Sequence, residues 1–259
     1  MCSDFSSHES QTSTASTIPV HGANRVLAGL TEEEHRRLSP YLRPISLKSK
    51  QVLLRQGEPI QHVVFLNGGV CSLIKAMENG SSIEIVGLGA EGIIGTNVAL
   101  GQAESAGDVI VHVATDAAQS LPIDAFKAEL ERCGALADTV NRYQAAFTIQ
   151  LMQTAACNAM HSAEERCCRW LLMTHDRIRS DDFPMTHEML ATALGVRRPT
   201  VTLIMAGLYR TGVIRHVRGR VTILDRPALE GKSCECYRVV SATFRQMSSA
   251  TQAPRIPAV

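Results

Sequence analysis

Thr186-His187-Glu188-Met189-Leu190-Ala191-Thr192-Ala193-Leu194-Gly195-Val196, followed directly by Arg197-Arg198-Pro199-Thr200-Val201-Thr202-Leu203-Ile204, is the stretch on which the reading of the chain turns. Thr186 suits the N-cap of a first helix, where its hydroxyl can accept a bond from an orphan backbone amide. Leu190 and Leu194 give that helix an apolar face, and Ala191 is small enough to let a second helix cross close by. Gly195 falls where a tight interhelical turn needs a positive φ, which glycine adopts without steric cost. Val196 plugs the turn. Pro199 suits the first turn of the next helix, where its missing N–H costs nothing, and Val201, Ile204 and Leu208 line that helix's inner side. A small residue, a glycine four positions later and a β-branched residue six after that give the spacing of a helix-turn-helix.

Charge sharpens this reading. Between Arg197 and Arg220 stand six arginines, at 197, 198, 210, 215, 218 and 220, and no aspartate or glutamate. A solvated helix face usually mixes signs. A face that meets phosphates does not, because each cation there releases condensed counterions and a carboxylate would oppose the contact. Arg198, Thr200 and Thr202, near the start of the second helix, are the expected base-reading residues: arginine can grip guanine O6 and N7, and threonine can bond or touch a thymine methyl. Gly212-Val213-Ile214-Arg215 and Val221-Thr222-Ile223-Leu224 flank Val217-Arg218-Gly219-Arg220, a β-hairpin that reads as a wing. Arg197, Arg215, Arg218 and Arg220 are the expected phosphate contacts.

Outward from this module, 163–178 reads as a helix with Trp170, Leu171 and Ile178 inward, ended by Ser180-Asp181-Asp182-Phe183-Pro184. Before it, Leu136, Val140, Tyr143, Phe147, Leu151 and Ala155 recur at steps of three and four, the stripe of one long amphipathic helix over 135–158. Such a helix either packs within its own chain or pairs with a copy of itself. From about 44 to 122 the pattern is β-rich. Expected strands are Gln51–Arg55, Val63–Leu66, Val70–Ala76, Ile83–Leu88, Val109–Ala114 and Gln119–Pro122, with turns at Gln56-Gly57-Glu58-Pro59, Asn67-Gly68-Gly69 and Glu78-Asn79-Gly80. Short strands with glycine-rich turns at this spacing argue for an antiparallel barrel or sandwich, its halves joined by a loop around Gly92-Ile93-Ile94-Gly95. Thr31 should cap a short helix running to Leu38, and Ile123–Glu131 is another short helix. Leu229, Ser233, Cys236, Val240, Phe244 and Met247 predict a single C-terminal helix containing Gly231.

Composition restricts the function classes. The chain has 259 residues, is 45% hydrophobic and 20% charged, and carries a formal net charge of +1, so bulk charge does not point to nucleic acid. Its length suffices for two domains with real cores. No apolar run approaches the roughly 18 residues of a membrane span, and the N-terminus lacks the pattern of a secretory signal; both readings predict a cytoplasmic protein with no membrane partner. Eight cysteines are scattered, apart from the pairs Cys167-Cys168 and Cys234/Cys236, and read as reduced thiols in the core. Cys234-Glu235-Cys236 alone is too close-spaced and isolated for a metal site. No nucleophile–base pair, phosphate-cradling loop or metal-ligand spacing marks an enzyme, so no catalytic residue, metal or cofactor is expected.

The order of parts resembles the cyclic-AMP receptor protein/Fnr family of bacterial regulators over about 25–228. The resemblance is carried by Leu53-Leu54-Arg55-Gln56-Gly57-Glu58-Pro59 with Val64-Phe65-Leu66-Asn67-Gly68-Gly69-Val70, and by Leu190 to Val201. It implies an α+β chain: an N-terminal antiparallel β-barrel of the cyclic-nucleotide-binding jelly-roll type, a long dimerisation helix and a C-terminal winged helix-turn-helix. The expected boundaries are a disordered tail at 1–20, a sensory domain at 21–134, the dimerisation helix at 135–160, the DNA-binding domain at 161–228 and a helix with tail at 229–259. The implied partners are double-stranded DNA, read as a pseudopalindrome by a homodimer, together with RNA polymerase and an unidentified small effector. That effector would sit near Gly92, Gly95, Thr96 and Asn97.

Departures from the family pattern are equally informative. The loop from Gly95 to Asp108 holds no basic residue, whereas cyclic-AMP-binding members carry an Arg-Ser pair there for the phosphate. An anionic cyclic phosphate needs a cation or a nest of amides, so a cyclic nucleotide is not the expected effector. Cys2 is the only cysteine before Cys71, which does not fit an Fnr-type iron–sulfur sensor. His62 and His112 in the barrel region leave a haem variant open. Pro199 and Leu203 stand where the cyclic-AMP receptor has Glu and Arg, so its target sequence does not transfer. The rivals are a ligand or redox sensor acting through protein contacts, the latter through Cys167/Cys168 or Cys234/Cys236.

Overall fold

A computed structural model describes residues 24–249; the expected tails at 1–20 and beyond 249 lie outside the described residues. Thr31 caps α1 (Glu32–Leu38) in a capping box: its Oγ1 accepts from Glu34 N at 3.2 Å while the Glu34 carboxylate accepts from Thr31 N at 2.9 Å. Eight strands follow: β1 (Arg43–Leu47), β2 (Val52–Leu54), β3 (His62–Leu66), β4 (Val70–Ala76), β5 (Ser82–Leu88), β6 (Ile93–Ile94), β7 (Asp108–Val113) and β8 (Thr115–Pro122). They form two four-stranded antiparallel sheets, ordered β1-β8-β3-β6 and β2-β7-β4-β5. The layout is that of a jelly roll: two faces enclose Leu47, Val64, Leu66, Val86, Val109 and Val111, with no ring of hydrogen bonds closed among the described strands.

The six strands expected from sequence are all present. β1 and β6 were not legible: β1 is a mostly exposed edge strand containing Pro44, and β6 is only two residues long, so neither shows a period of two. After α2 (Ile123–Leu130), α3 runs from Ala135 to Met160. The stripe read from sequence packs inside the chain as far as Leu151, whereas Ala155 at its end is exposed. Leu136, Val140 and Tyr143 are buried with Phe126 and Leu121, while Phe147 and Leu151 lean on the sheets. Gly92 permits this, since a Cβ there would lie 2.5 Å from the Tyr143 hydroxyl. From Ala145 onward the opposite side of α3 is exposed and apolar, with Ile149 42%, Met152 68% and Met160 79% exposed.

Ser162 starts α4 (Ala163–Ile178) with a second capping box, on Glu165. β9 (Asp182–Pro184), α5 (His187–Leu194), α6 (Arg198–Arg210), β10 (Ile214–Val217) and β11 (Arg220–Ile223) complete the second module around a core of Leu171, Phe183, Leu190, Val201, Leu208 and Val221. The single C-terminal helix expected from sequence is two. α7 (Arg226–Lys232) and α8 (Cys236–Ser249) are separated by extended backbone at Ser233 (φ −84°, ψ 152°). The break lets α8 turn back along α3, where Val240, Phe244 and Met247 join the Tyr143 core. Ser233, placed by its spacing on the buried face of one helix, is instead the hinge between two.

Candidate nucleic-acid interface

Local chemistry builds α5 and α6 as their sequence predicts. Thr186 Oγ1 accepts from Met189 N at 3.2 Å, capping α5. Gly195 ends it at φ +63°, ψ 37°, a left-handed conformation that leaves Val196 N to donate to Ala191 O at 3.1 Å. Pro199 lies in the first turn of α6. Val201, Met205 and Leu208 are buried against α5, which turns the other side of α6 outward. At 100° per residue the outermost line opposite them is Pro199, Leu203, Ala206 and Arg210; Leu203 is 73% exposed.

The expected readers flank this line. Arg198 and Thr200 are exposed at the N-terminal end of α6 on opposite flanks, with Arg197 just ahead. Thr202 is exposed on the α5 side, but its hydroxyl is engaged: it donates to Arg198 O at 3.1 Å and takes a bond from His187 Nδ1 at 3.0 Å. Sequence reasoning missed Leu203 as the centre of the face. The signal was available, because the buried period 201, 205, 208 already places 203 opposite.

The wing is a two-residue hairpin. Arg218 (φ 49°) and Gly219 (φ 75°) form its turn, the pair of positive φ angles a type I′ hairpin needs. Strand alternation puts Arg215, Val217, Arg220 and Thr222 on the outer side and Ile214, Val221 and Ile223 in the core. Arg215 and Arg218 are exposed. Arg220 is exposed but paired: it bonds Asp182 Oδ2 through Nε at 2.8 Å and Nη2 at 2.5 Å, and Thr222 adds a bond to the same carboxylate. The Arg220 guanidinium holds the Asp182 carboxyl below its ordinary range. β9 therefore brings an acid to the arginine face that the run from 197 to 220 does not contain, and a three-residue strand just after a helix stop gave no sign of it.

Three of the four effector residues from the sequence share one cavity, and Gly92 does not line it. Gly92 packs beneath Tyr143, its carbonyl accepting from Asn24. Gly95, Thr96 and Asn97 line a cavity of about 40 Å³ with Leu54, Tyr143 and Phe147, room for little more than a water. Asn97 also borders a wider, mostly apolar groove of about 420 Å³ between the β4–β5 face and α3, with Leu73, Leu100, Gln144 and Lys75. Lys75 donates to Ala106 O at 2.9 Å, so a cation reaches the 95–108 loop from β4 although the loop itself has none. Asp108 accepts from Gln56 N at 2.8 Å. Of the barrel histidines, His62 is exposed, and His112 is buried against Glu84 and Trp170.

Cys167 and Cys168 are fully buried in the helix-turn-helix core. Burial pushes the Cys168 thiol up to about 12 and the Cys167 thiol well above its ordinary value, which removes the thiolate that oxidation requires. Cys234 and Cys236 have company that spacing could not show: Cys157 and His161, one turn apart at the end of α3, meet them in space.

Comparison with known proteins agrees with this layout. Residues 165–231 match the model of the Crp-like helix-turn-helix domain. Among solved structures, a protein of the crp/fnr family from Eubacterium rectale superposes with a TM-score of 0.62 at 18% identity, covering 82% of this chain and 97% of its own. A CRP-family transcriptional regulator from Thermus thermophilus gives 0.61 at 22%, covering 73% and 96%. FixK2 from Bradyrhizobium japonicum gives 0.58 at 15%, covering 74% and 98%. No curated protein matches the chain in sequence. The fold is thus a jelly roll joined to a helix-turn-helix with a hairpin wing. Residues 165–231 are similar to the Crp-like helix-turn-helix domain, and the chain as a whole has the fold of the Crp/Fnr regulators.

Proposed function

We propose that the chain is a Crp/Fnr-type transcriptional regulator that binds duplex DNA as a homodimer. The observation that carries this reading is the shared exposure of Arg197, Arg198, Arg210, Arg215 and Arg218 around the outward side of α6 and the wing. A polyanion is the partner such a face suits. α6 would enter the major groove, with Arg198 and Thr200 at base edges and Leu203, Pro199 and Ala206 on thymine methyls between them. Thr202 serves better as a brace for the start of α6 than as a reader, because its hydroxyl is already bonded twice. Arg197, Arg215 and Arg218 would hold phosphates, and Arg220 joins them by exchanging Asp182 for DNA.

Dimerisation would use the free side of α3, where Ala145, Ile149, Met152, Ala156 and Met160 recur at helical spacing and no Asp, Glu, Lys or Arg stands between Tyr143 and Ala163. The domain boundaries follow: a sensory unit through 134, the dimer helix at 135–160 and the DNA-binding unit from 161, with α8 returning to the dimer helix. The effector site best supported is the groove beside Asn97, Gln144 and Lys75. Its mainly apolar lining favours a small, weakly polar ligand over a cyclic nucleotide.

Anisotropy of a labelled duplex at two salt concentrations tests the reading. Binding should weaken steeply with salt, and Arg218→Asn, which keeps a residue tolerant of positive φ, should weaken all duplexes alike and lower the salt slope by about 1. Salt-insensitive binding, or an Arg218→Asn slope equal to wild type, counts against it.

A further inference from the structure

At the junction of the two modules, four side chains from distant parts of the chain converge. Cys157 lies in the last turn of α3 and His161 is the residue that caps its end; Cys234 stands in the break between α7 and α8, and Cys236 opens α8. Their donor atoms all lie within 4.8 Å of one another. Cys157 Sγ is 3.6 Å from Cys234 Sγ, and Cys236 Sγ is 3.5 Å from His161 Nδ1. A tetrahedral zinc with Zn–S of about 2.3 Å and Zn–N of about 2.05 Å has S···S edges of about 3.8 Å and S···N edges of about 3.6 Å. Both measured edges fall close to those values. The three sulfurs are almost wholly buried, Cys157 and Cys236 at 0% exposure and Cys234 at 4%.

The surroundings suit a metal ion. His161 turns Nδ1 toward the sulfurs, and its Nε2 lies 3.2 Å from the Glu235 carboxylate, the arrangement that fixes the ring and raises its basicity in carboxylate–histidine–metal sites. Gln153 Nε2 donates to Cys236 Sγ at 3.0 Å. Three thiolates and one imidazole around a divalent ion leave a net charge of −1. Arg169, close enough to Cys157 to act on it electrostatically and with its Nε buried and unpartnered, can offset that charge. Packing alone does not account for a histidine nitrogen and a bonded amide aimed at the sulfurs.

We infer that Cys157, His161, Cys234 and Cys236 form a Cys₃His site for a structural zinc ion. Soft thiolates with one imidazole in tetrahedral array select zinc over harder divalent ions, and all four positions are filled by protein, as in structural rather than catalytic sites. The ion would tie the end of α3 to the segment just after the helix-turn-helix domain, holding α8 along the long helix. Binding replaces the thiol protons, which leave to solvent, and involves no redox step.

The test uses the full chain, reduced and handled without oxygen, and does not involve DNA, so it stands or falls apart from the regulator reading. Metal analysis should find one zinc per chain. Titration with Co²⁺ should give the intense visible bands of a tetrahedral ion and a thiolate-to-cobalt charge-transfer band, with zinc displacing it at one equivalent. Cys133→Ser, at an exposed cysteine outside the cluster, should leave both unchanged. Cys157→Ser and Cys236→Ser should abolish the charge-transfer spectrum, and Glu235→Ala should keep the fold by circular dichroism yet bind about 10–100-fold more weakly. A weak octahedral cobalt spectrum in the wild type overturns the inference. So does unaltered binding in both serine variants, or a reduced, folded chain that takes up no metal.

Discussion

His187 opens α5 and stacks on His216 of the wing, ring centroids 4.7 Å apart. With Thr202 donating to Arg198 O, the proton between the His187 and Thr202 side chains belongs to Nδ1, which leaves Nε2 buried with no hydrogen-bond partner on the protein. Burial first, then His216 and the Arg198 guanidinium, lowers the His187 pKa below its usual 6.5. The native state therefore refuses a proton that the unfolded chain accepts. Stability should fall as pH drops from 6.5 to the lowered native value and level off beneath it. Melting wild type and His187→Gln between about pH 7.5 and 5 should show the larger loss in wild type; equal losses would remove His187 as the cause. Such a contact was not readable beforehand, since His187 and His216 are far apart in sequence and only the hairpin's return brings them together.

At the scale of the element, α3 separates two jobs that one periodic stripe had merged. The side read from sequence packs against the sheets from Leu136 to Leu151, and α8 covers a neighbouring side through Phe244 and Cys236. What remains is the line through Ile149 and Met152, too apolar to face water by choice on a helix this long. Met152→Glu should leave the barrel core untouched and convert a dimer to a monomer in sedimentation velocity, with specific DNA binding lost in parallel. A dimer that persists would move the interface elsewhere. Helix starts were the most legible features: Thr31 and Thr186 each cap the helix that their residue types announce, while the Ser162 cap of α4 emerged only from the structure. The α7–α8 break was not, because Leu229 to Met247 keeps helical spacing through it and no proline or glycine stands at Ser233, where the backbone turns extended.

Across the whole molecule, the jelly roll docks on the DNA-binding module through a buried polar network. Trp170 of α4 donates to Glu84 Oε1 at 3.0 Å, Ser72 donates to Oε2 at 2.5 Å, and His112 approaches the same oxygen at 3.5 Å. Nearby, Arg177 and Glu91 form an ion pair at 2.7 Å, both nearly buried. Ile83 of β5 packs on the Gly195 turn, so the sheet touches the helix-turn-helix itself. Trp170→Phe removes one bond to a buried carboxylate and should lower stability by about 1.5–3 kcal/mol in urea denaturation followed by circular dichroism. A variant as stable as wild type would show that the network does not hold the modules together.

Local chemistry was enough to determine the helix-turn-helix, the wing, six strands and the caps, because each depends on residues within a turn or two of one another. Only the folded chain decided which face of α3 is free, that Asp182 holds Arg220, that Lys75 reaches the 95–108 loop, and that two cysteines at 234 and 236 gain a third and a histidine from the far end of α3. Those features are meetings between distant segments. Periodicity can say which side of a helix is buried, but what buries it is settled by the path of the chain.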